Sequence, residues 1–295
     1  MKDDQASSTA YTVLQGMVYS GLYRKGLVSD EVMTACRTIL SASEEGKKRL
    51  NQVEGRLFPM LVPFMERMMI PGLSLHYVLR KQFIEEATLS AIKEGYTQVI
   101  SLGAGFDTLT WRLHSQHTGV NFMEIDHPAT SRMKVDALTG EAPLPGNLHL
   151  LAVDLAEKDL EEVLGAYSGF DPSRKTLFIC EGVLPYLPQA AVTHLLAALR
   201  KLTGAGTRFV FTAVSSMSSP NNNTGPLLKV YLMFKNEPLD WTLEMADVDA
   251  FLTANDYLSM DKADDEMLSG RMTESLAGET LHRGEYVVLA EAGAQ

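Results

Sequence analysis

The stretch QVISLGAGFDTLTWRL, residues 98–113, decides how the rest of the sequence is interpreted. It begins with a short apolar run, typical of a buried β-strand, and continues into two glycines one residue apart. A glycine turn that follows a strand and opens a helix lets backbone N–H groups approach a bound molecule closely. The stretch therefore predicts such a turn at Gly103 and Gly105 with a ligand beside it, and a tight turn without a ligand is the alternative.

Short apolar runs recur after Thr97 and alternate with amphipathic segments. Five of them follow in order: QVISLG, VNFMEID, LHLLAVDL, TLFICEG and TRFVFTAV. This alternation is the pattern of βαβ units and predicts an α/β fold with a mostly parallel sheet. Two later runs, YLSMD and GEYVVLAEA, are further strand candidates, and PQAAVTHLLAALRKLTGAG predicts a helix between the fourth and fifth strands.

The sequence before the sheet has helical periodicity without a convincing strand. Pro59, Pro63 and the IPG at 70–72 interrupt it, which predicts several short helices. We therefore predict a helical N-terminal cap or lid over residues 1–94 and a sheet domain over residues 95–295. The polar stretch SSMSSPNNNTGP predicts a loop and lid insertion at about residues 215–245.

Composition excludes several classes of protein. The formal net charge of -11 disfavours a broad basic surface for nucleic acid. No apolar run is long enough to span a membrane, and the first residues lack the features of a signal peptide, so we expect a cytoplasmic protein that does not act on membranes. Two cysteines, Cys36 and Cys180, and seven histidines without paired spacing predict neither a disulfide framework nor a metal site.

Acidic residues stand at the ends of three consecutive predicted strands. Glu124 and Asp126 end the second, where a carboxylate can accept hydrogen bonds from ribose hydroxyls. Asp154 after the third strand can accept from an adenine amino group, and Glu181 after the fourth can pair with an ammonium. Each acid alone could be a helix cap, but the carboxyl ends of parallel strands meet at one edge. Thr108 stands where a dinucleotide motif has its third glycine, which favours a cofactor without a diphosphate.

Five motifs carry a family resemblance: RKQFIEEA, QVISLGAGFDTLTWRL, MEIDHP, AVDL and ICEGVLPYL. Their order resembles the leucine carboxyl methyltransferase-like family of S-adenosylmethionine-dependent O-methyltransferases. The resemblance covers roughly residues 77–187. It implies a class I methyltransferase fold, which is a Rossmann-like, seven-stranded, mostly parallel sheet with the last strand antiparallel. The cofactor that it implies is S-adenosyl-L-methionine.

The resemblance also implies roles for individual residues. Arg80 would pair with the methionyl carboxylate of the cofactor, and Glu181 would help to bind its amino group. The other implied cofactor contacts are Gly103 at the methionyl end, Asp126 at the ribose, and Asp154 and Leu155 at the adenine. Gly105 is predicted as a cofactor contact from the glycine turn itself. This chain departs from the family by having Leu109 where an arginine is frequent, although Arg112 could supply a charge on the substrate side.

The expected chemistry is in-line transfer of a methyl group to an oxygen, in which the protein mainly positions donor and acceptor and excludes water. Tyr186, in EGVLPYL, is the candidate for lining the transfer site. The resemblance favours a carboxylate on a small or peptide-like molecule as acceptor. A phenol or polyketide hydroxyl, with His127 as candidate base, is the alternative. A nicotinamide-dependent oxidoreductase and a noncatalytic nucleoside-binding protein are further alternatives, and the oligomeric state is open.

Overall fold

The computed structural model describes residues 6–140, 142–225, 227–228, 239–272, 276 and 278–293. The insertion predicted at about residues 215–245 lies partly outside them, at 226 and 229–238. No helix within the described ranges is long and apolar enough to cross a membrane.

Helices occupy most of the chain before the sheet. They are α1 (Ser8–Tyr23), α2 (Asp30–Ser41), α3 (Glu44–Glu54), α4 (Leu57–Met68) and α5 (Leu73–Lys93). Serine side chains cap the first three, because Ser7, Ser29 and Ser43 each accept a hydrogen bond from a backbone N–H of the first turn.

Two of the three predicted interruptions, at Pro59 and Pro63, are not breaks between helices. Pro59 lies in the first turn of α4, where its missing N–H needs no intrahelical partner, and Pro63 lies inside the same helix. The third predicted interruption, at residues 70–72, is confirmed: α4 ends at Met68, and α5 begins after Gly72, whose φ of +72° is left-handed. The following helix, α5, runs for 21 residues rather than being short.

One seven-stranded sheet follows the helices. Its strands are β1 (Gln98–Leu102), β2 (Asn121–Asp126), β3 (Leu148–Ala152), β4 (Thr176–Cys180), β5 (Thr207–Val214), β6 (Tyr257–Ala263) and β7 (Glu285–Ala292). They lie in the order β3-β2-β1-β4-β5-β7-β6. The first five pair in parallel, whereas β7 runs antiparallel to both β5 and β6. All seven predicted strands are thus present, and the predicted antiparallel last strand is confirmed.

Helices cover both faces of the sheet. Those that follow the first strand are α6 (Leu109–Leu113), α7 (Pro128–Thr139), α8 (Leu160–Gly165), α9 (Gln189–Thr203), α10 (Val248–Ala254) and α11 (Asp265–Ser269). Alternate residues of β1 point to opposite faces, as strand geometry requires. Val99 packs in the core formed with α1, α2 and α5, and Ile100 packs in the core formed with α8, α9 and α10.

The turn after β1 needs glycine because of both its backbone angles and its close neighbours. Gly103 and Gly105 have φ values of +64° and +52°, a region that side chains other than glycine rarely adopt. A Cβ on Gly103 would lie 2.4 Å from the Val183 Cγ2 atom. The turn therefore lies directly against the segment that follows β4.

We expect Gly103→Ala to lower the free energy of unfolding by about 1–3 kcal/mol, because a left-handed alanine is strained and its methyl group collides with Val183. Gly119→Ala is the matched control, since nothing lies within 4 Å of its added Cβ and alanine at such a site changes stability by about 1 kcal/mol or less. Urea unfolding of both variants checks this. Equal stabilities would contradict the steric argument.

Candidate active site

One cavity of about 1600 Å³ opens at the carboxyl edge of the parallel strands. The walls come from the N-terminal helices, the turn after β1 and the segments that follow β4 and β5. The strand order reverses between β1 and β4, and open α/β sheets bind ligands at such a switch point. The walls include six of the residues predicted for the site: Arg80, Gly103, Gly105, Asp126, Glu181 and Tyr186.

Asp126 ends β2, and its carboxylate holds the glycine turn in place. The Oδ2 atom accepts a hydrogen bond from the Gly105 backbone N–H at 2.7 Å. Burial raises the pKa of the Asp126 carboxyl above its usual value, and the Gly105 N–H and the Lys134 ammonium oppose this effect only in part. Because Asp126 also lines the cavity, its remaining acceptor positions suit ribose hydroxyls.

Glu124, the other acid of β2 considered for ribose, is engaged elsewhere. It is buried, and its carboxylate accepts hydrogen bonds from the Lys134 ammonium and the Thr110 hydroxyl. It faces the same side of the sheet as Asp126 but lies two residues deeper, beneath α6 and α7. The structure therefore makes Glu124 part of an internal ion pair and leaves only Asp126 at the cavity.

A buried ion network crosses the cavity wall around Arg80, a residue of α5. Its Nε donates to Glu181 Oε1 at 2.8 Å, and its Nη1 donates to Glu285 Oε2. Burial alone would lower the pKa of Arg80, but the carboxylates of Glu285 and Glu181 raise it above the ordinary value. For Glu285, burial would raise the pKa, whereas Arg80 and His76 hold it well below its usual range. Arg80 and Glu285 are therefore both charged near neutrality.

Lys81 extends the same network toward the glycine turn. Its ammonium donates to Glu181 Oε2 at 2.9 Å and also pairs with Asp107. Burial opposes ionisation of Asp107, yet Lys81 and Lys134 hold the pKa of this carboxyl well below its usual range. Both oxygens of Glu181 are consequently bound to cations of α5.

The predicted partners of the cofactor's amino-acid group are thus bonded directly to each other. Among the described residues, Arg80 Nη2 has no hydrogen-bond acceptor, and it lies 4.0 Å from the position that a Cβ would take on Gly182. The lack of a side chain at Gly182 leaves room beside this nitrogen. Nη2 is therefore the atom of Arg80 available to a ligand carboxylate, and its binding role stays a prediction.

The two residues predicted for adenine lie beyond the described cavity walls. The Asp154 carboxylate follows β3 and accepts from the Ala156 N–H at 2.9 Å, while the Leu155 side chain packs against the core shared with α8 and α9. His127, the candidate base for a hydroxyl acceptor, is the N-cap of α7 and lies 3.7 Å from the Asp154 carboxylate. His127 is not among the described residues that line the cavity, which makes it poorly placed to serve an acceptor there.

Both residues that the sequence suggests for the acceptor side, Tyr186 and Arg112, line the cavity. Tyr186 ends a short 3₁₀ turn directly after β4, and 39% of its surface is exposed. Arg112 makes a two-pronged ion pair with Glu85, with N–O distances of 2.9 and 2.6 Å, so its charge is already compensated. The contribution of Tyr186 to the transfer site stays a prediction.

Sequence reasoning missed Glu285 and His282. Because β7 is antiparallel to β5, its first residue, Glu285, pairs with Val214, the last residue of β5, and so reaches the carboxyl edge of the parallel strands. His282 lies in the approach to β7 and also lines the cavity. No local motif marks either residue, and only the direction of β7 indicates that they belong to the site.

The sheet order, the antiparallel β7 and the glycine turn at the switch point define a class I methyltransferase fold. Solved structures agree. A DUF574 family protein from Streptomyces avermitilis matches 98% of this chain and 99% of its own with a TM-score of 0.60 and 10% identity. A provisionally named methyltransferase from Thermobifida fusca matches 88% of this chain and 94% of its own with a TM-score of 0.57 and 15% identity. At these identities the likeness shows the fold alone.

The family follows from the sequence comparisons. Residues 25–200 match the model of the leucine carboxyl methyltransferase family, and the chain belongs to that family. The resemblance stated from the motifs is thereby confirmed.

Similar curated proteins carry provisional names as S-adenosyl-L-methionine-dependent methyltransferases. One from Mycobacterium avium is 36% identical over 149 residues, which is 50% of this chain and 45% of that protein. Another from Saccharopolyspora erythraea is 33% identical over 138 residues, which is 46% of this chain and 47% of that protein. The chain thus spans about half the length of the curated relatives it matches.

Proposed function

We propose that this protein is an S-adenosylmethionine-dependent O-methyltransferase whose donor binds in the cavity at the β1–β4 switch point. The observation that carries the proposal is the convergence of the glycine turn, Asp126 and the Arg80–Glu181 pair on this one cavity. Each group suits a different part of the donor, as the resemblance implies. The family and the names of the relatives support the same activity.

The charge of the cavity supports a donor with net positive charge. Seven acids and four bases are found among its described lining residues. The acids are Glu85, Glu86, Asp107, Asp126, Glu181, Asp240 and Glu285, and the bases are Arg80, Lys81, Arg112 and Arg271. S-adenosylmethionine carries a sulfonium and an ammonium against one carboxylate, so an acidic cavity attracts it.

The residues of this chain would act mainly by binding and orientation. Bound S-adenosylmethionine supplies the electrophilic methyl group. Arg80 Nη2 and the acids around it would fix the amino-acid end, and Asp126 would fix the ribose. Two glycines keep the turn free of side chains, and N-terminal helices cover the cavity and exclude water. Precise placement of two reactants can account for several kcal/mol of a barrier, about 7–11 in the best cases.

The sequence and the structure favour different acceptors. The family resemblance favours a carboxylate, whereas the ion pairs made by the cations of the cavity support the hydroxyl alternative. All four lining cations already contact acids, as in Arg80 with Glu181 and Arg271 with Glu86. A carboxylate acceptor would therefore add a negative charge to an acidic cavity without an unpaired described cation to receive it. A neutral hydroxyl avoids this electrostatic cost.

We expect Asp126→Ala to weaken S-adenosylhomocysteine binding at least tenfold, because each charge-assisted hydrogen bond is worth about 1.5–3 kcal/mol. Asp126→Asn is the matched control, because its amide oxygen can still accept the hydrogen bond from the Gly105 N–H. It therefore separates the effect of losing this hydrogen bond from the effect of losing the carboxylate charge. Titration calorimetry measures both variants, with NAD expected not to bind. Unchanged affinity in a folded alanine variant would disprove the ribose role.

Arg80→Lys tests the amino-acid end while keeping a positive charge between Glu181 and Glu285. We expect at least tenfold weaker binding of S-adenosylhomocysteine, because lysine lacks the third guanidinium nitrogen that would reach the carboxylate. Methylthioadenosine, which has no amino or carboxylate group, should bind as before. Arg208→Lys, which alters an arginine paired with Glu94 at the other end of β5, controls for general loss of stability. Equal weakening of both ligands would argue against this role.

The product distinguishes the two acceptors. With a hydroxyl acceptor, we expect an alkali-stable methyl ether and a rate that climbs with pH, because the acceptor must lose its proton. With a carboxylate acceptor, the product would release methanol in mild alkali and the rate would stay nearly flat from about pH 6 to 8, since a carboxyl with a pKa near 4 is already ionised there. Two measurements decide between them. The methylated product is treated with mild alkali and assayed for methanol, and the rate of methyl transfer is measured as a function of pH.

A further inference from the structure

His282 brings an imidazole to the cavity wall just before β7 begins. The residue is 6% exposed, and its ring packs edge-on against the ring of His76 with centroids 5.5 Å apart. It lies near the ion network, since His76 Nε2 contacts Glu285 Oε2 at 3.0 Å. None of the roles considered so far uses this ring.

The hydrogen bonds of Asn223 assign the tautomer of His282. The amide NH₂ of Asn223 donates to the Leu281 carbonyl at 2.9 Å, and its Oδ1 accepts from the Arg283 N–H at 2.9 Å. These two contacts fix Oδ1 as the atom 3.1 Å from His282 Nδ1. The Gly284 N–H also approaches Nδ1, at the longer distance of 3.4 Å. The shorter contact is with Oδ1, which can only accept, so we assign the proton to Nδ1, and Nε2 of the neutral ring is then an acceptor.

The surroundings keep this ring neutral. Burial lowers the pKa of His282 to about 3, and the neighbouring His76 and Arg80 of α5 act in the same direction. Glu285 of β7 opposes them without reversing the shift. Over the working range of an enzyme, Nε2 therefore presents a lone pair rather than a proton.

One other acceptor atom, the Asn222 side-chain oxygen, lies close to the same point of the wall. A Cβ on Gly284 would lie 2.8 Å from both His282 Nε2 and Asn222 Oδ1. Asn222 Oδ1 already accepts from the Thr224 N–H at 2.9 Å, and the Asn222 amide nitrogen donates to the Ser215 carbonyl at 3.2 Å. Because Asn222 Oδ1 also accepts from the Thr224 hydroxyl, His282 Nε2 is the acceptor at this point of the wall that has no partner among the described residues, which suits a group that donates a hydrogen bond. An ionised carboxylate has no proton to donate to this nitrogen.

We propose that Nε2 of His282 accepts a hydrogen bond from the acceptor hydroxyl and so selects a protonated oxygen over a carboxylate. The inference rests on the proposed methyltransferase function and narrows its acceptor to the hydroxyl class. His282 would orient the oxygen toward the donor methyl group. Apolar and aromatic wall residues such as Tyr77, Leu73 and Met217 suit a hydroxyl on an aromatic or otherwise apolar molecule.

The tautomer is tested first, without any acceptor. We expect ¹⁵N NMR of the histidine rings to show the His282 signal with the proton on Nδ1 and without titration from pH 5.5 to 8. His282→Asn identifies the signal by its loss. A proton on Nε2, or a midpoint near the ordinary histidine value of about 6.5, overturns the proposal.

Two variants then separate the cavity-facing nitrogen from the structural one. Asparagine at 282 can retain a donor near Asn223 but has no group at the position of Nε2, whereas glutamine reaches that position with an oxygen. We expect 2-naphthol to bind the wild-type complex with S-adenosylhomocysteine better than 2-naphthoate. His282→Asn should weaken 2-naphthol roughly three- to tenfold, the value of one hydrogen bond, and His282→Gln should restore most of the loss.

These measurements separate a failure of the proposed methyltransferase function from a failure of the hydroxyl site at His282. If S-adenosylhomocysteine does not bind the wild type, the proposed function fails, whereas the NMR result still reports on His282. If S-adenosylhomocysteine binds, either of two results disproves the hydroxyl site. One is that 2-naphthoate binds as tightly as 2-naphthol, and the other is that the His282 variants bind 2-naphthol as tightly as the wild type. The affinity of all three proteins for S-adenosylhomocysteine alone should agree within about twofold, which excludes a general disturbance of the cavity.

Discussion

The ion pairs of Arg80 hold the active edge of this fold together. A single guanidinium on α5 joins the carboxylate that follows β4 to the carboxylate that begins β7. Buried charges are tolerated only when they are paired and hydrogen-bonded, and removal of one partner of such a pair typically costs about 3–5 kcal/mol. The interaction therefore fastens the N-terminal helices to both the parallel and the antiparallel parts of the sheet.

Local sequence patterns predicted most of the fold. The apolar runs of β1 and β4 are continuous because both strands are buried throughout, and the glycines after β1 have the positive φ angles that their turn requires. The error at Pro63 has a physical reason. Helix propensity treats an internal proline as a break, but Pro63 removes only the one backbone hydrogen bond that its missing N–H would have donated within α4.

Apart from Arg80 of α5, which the family resemblance implied, the site residues that were predicted follow or end a strand. Glu124 and Asp126 look equivalent in the sequence because residues two apart share a face of a strand. They differ in depth by about 7 Å, which places Lys134 against the first and leaves the second at the cavity. Glu285 and His282 lie about a hundred residues after Glu181 and reach the site through an antiparallel strand. No local spacing could have indicated that each of the four described cations of the cavity is paired with an acid.

The excess of acids in the cavity bears on turnover as well as on binding. Methyl transfer converts a sulfonium into a neutral thioether, so the donor loses its net positive charge. The excess negative charge of the cavity walls does not change. The attraction that helps the donor to enter is thus weaker for the spent product. Close-range charge of this kind is screened by solvent less than surface charge is. In the proposed reaction, the cavity itself would favour exchange of product for fresh donor, and strong product inhibition would require contacts that do not depend on charge.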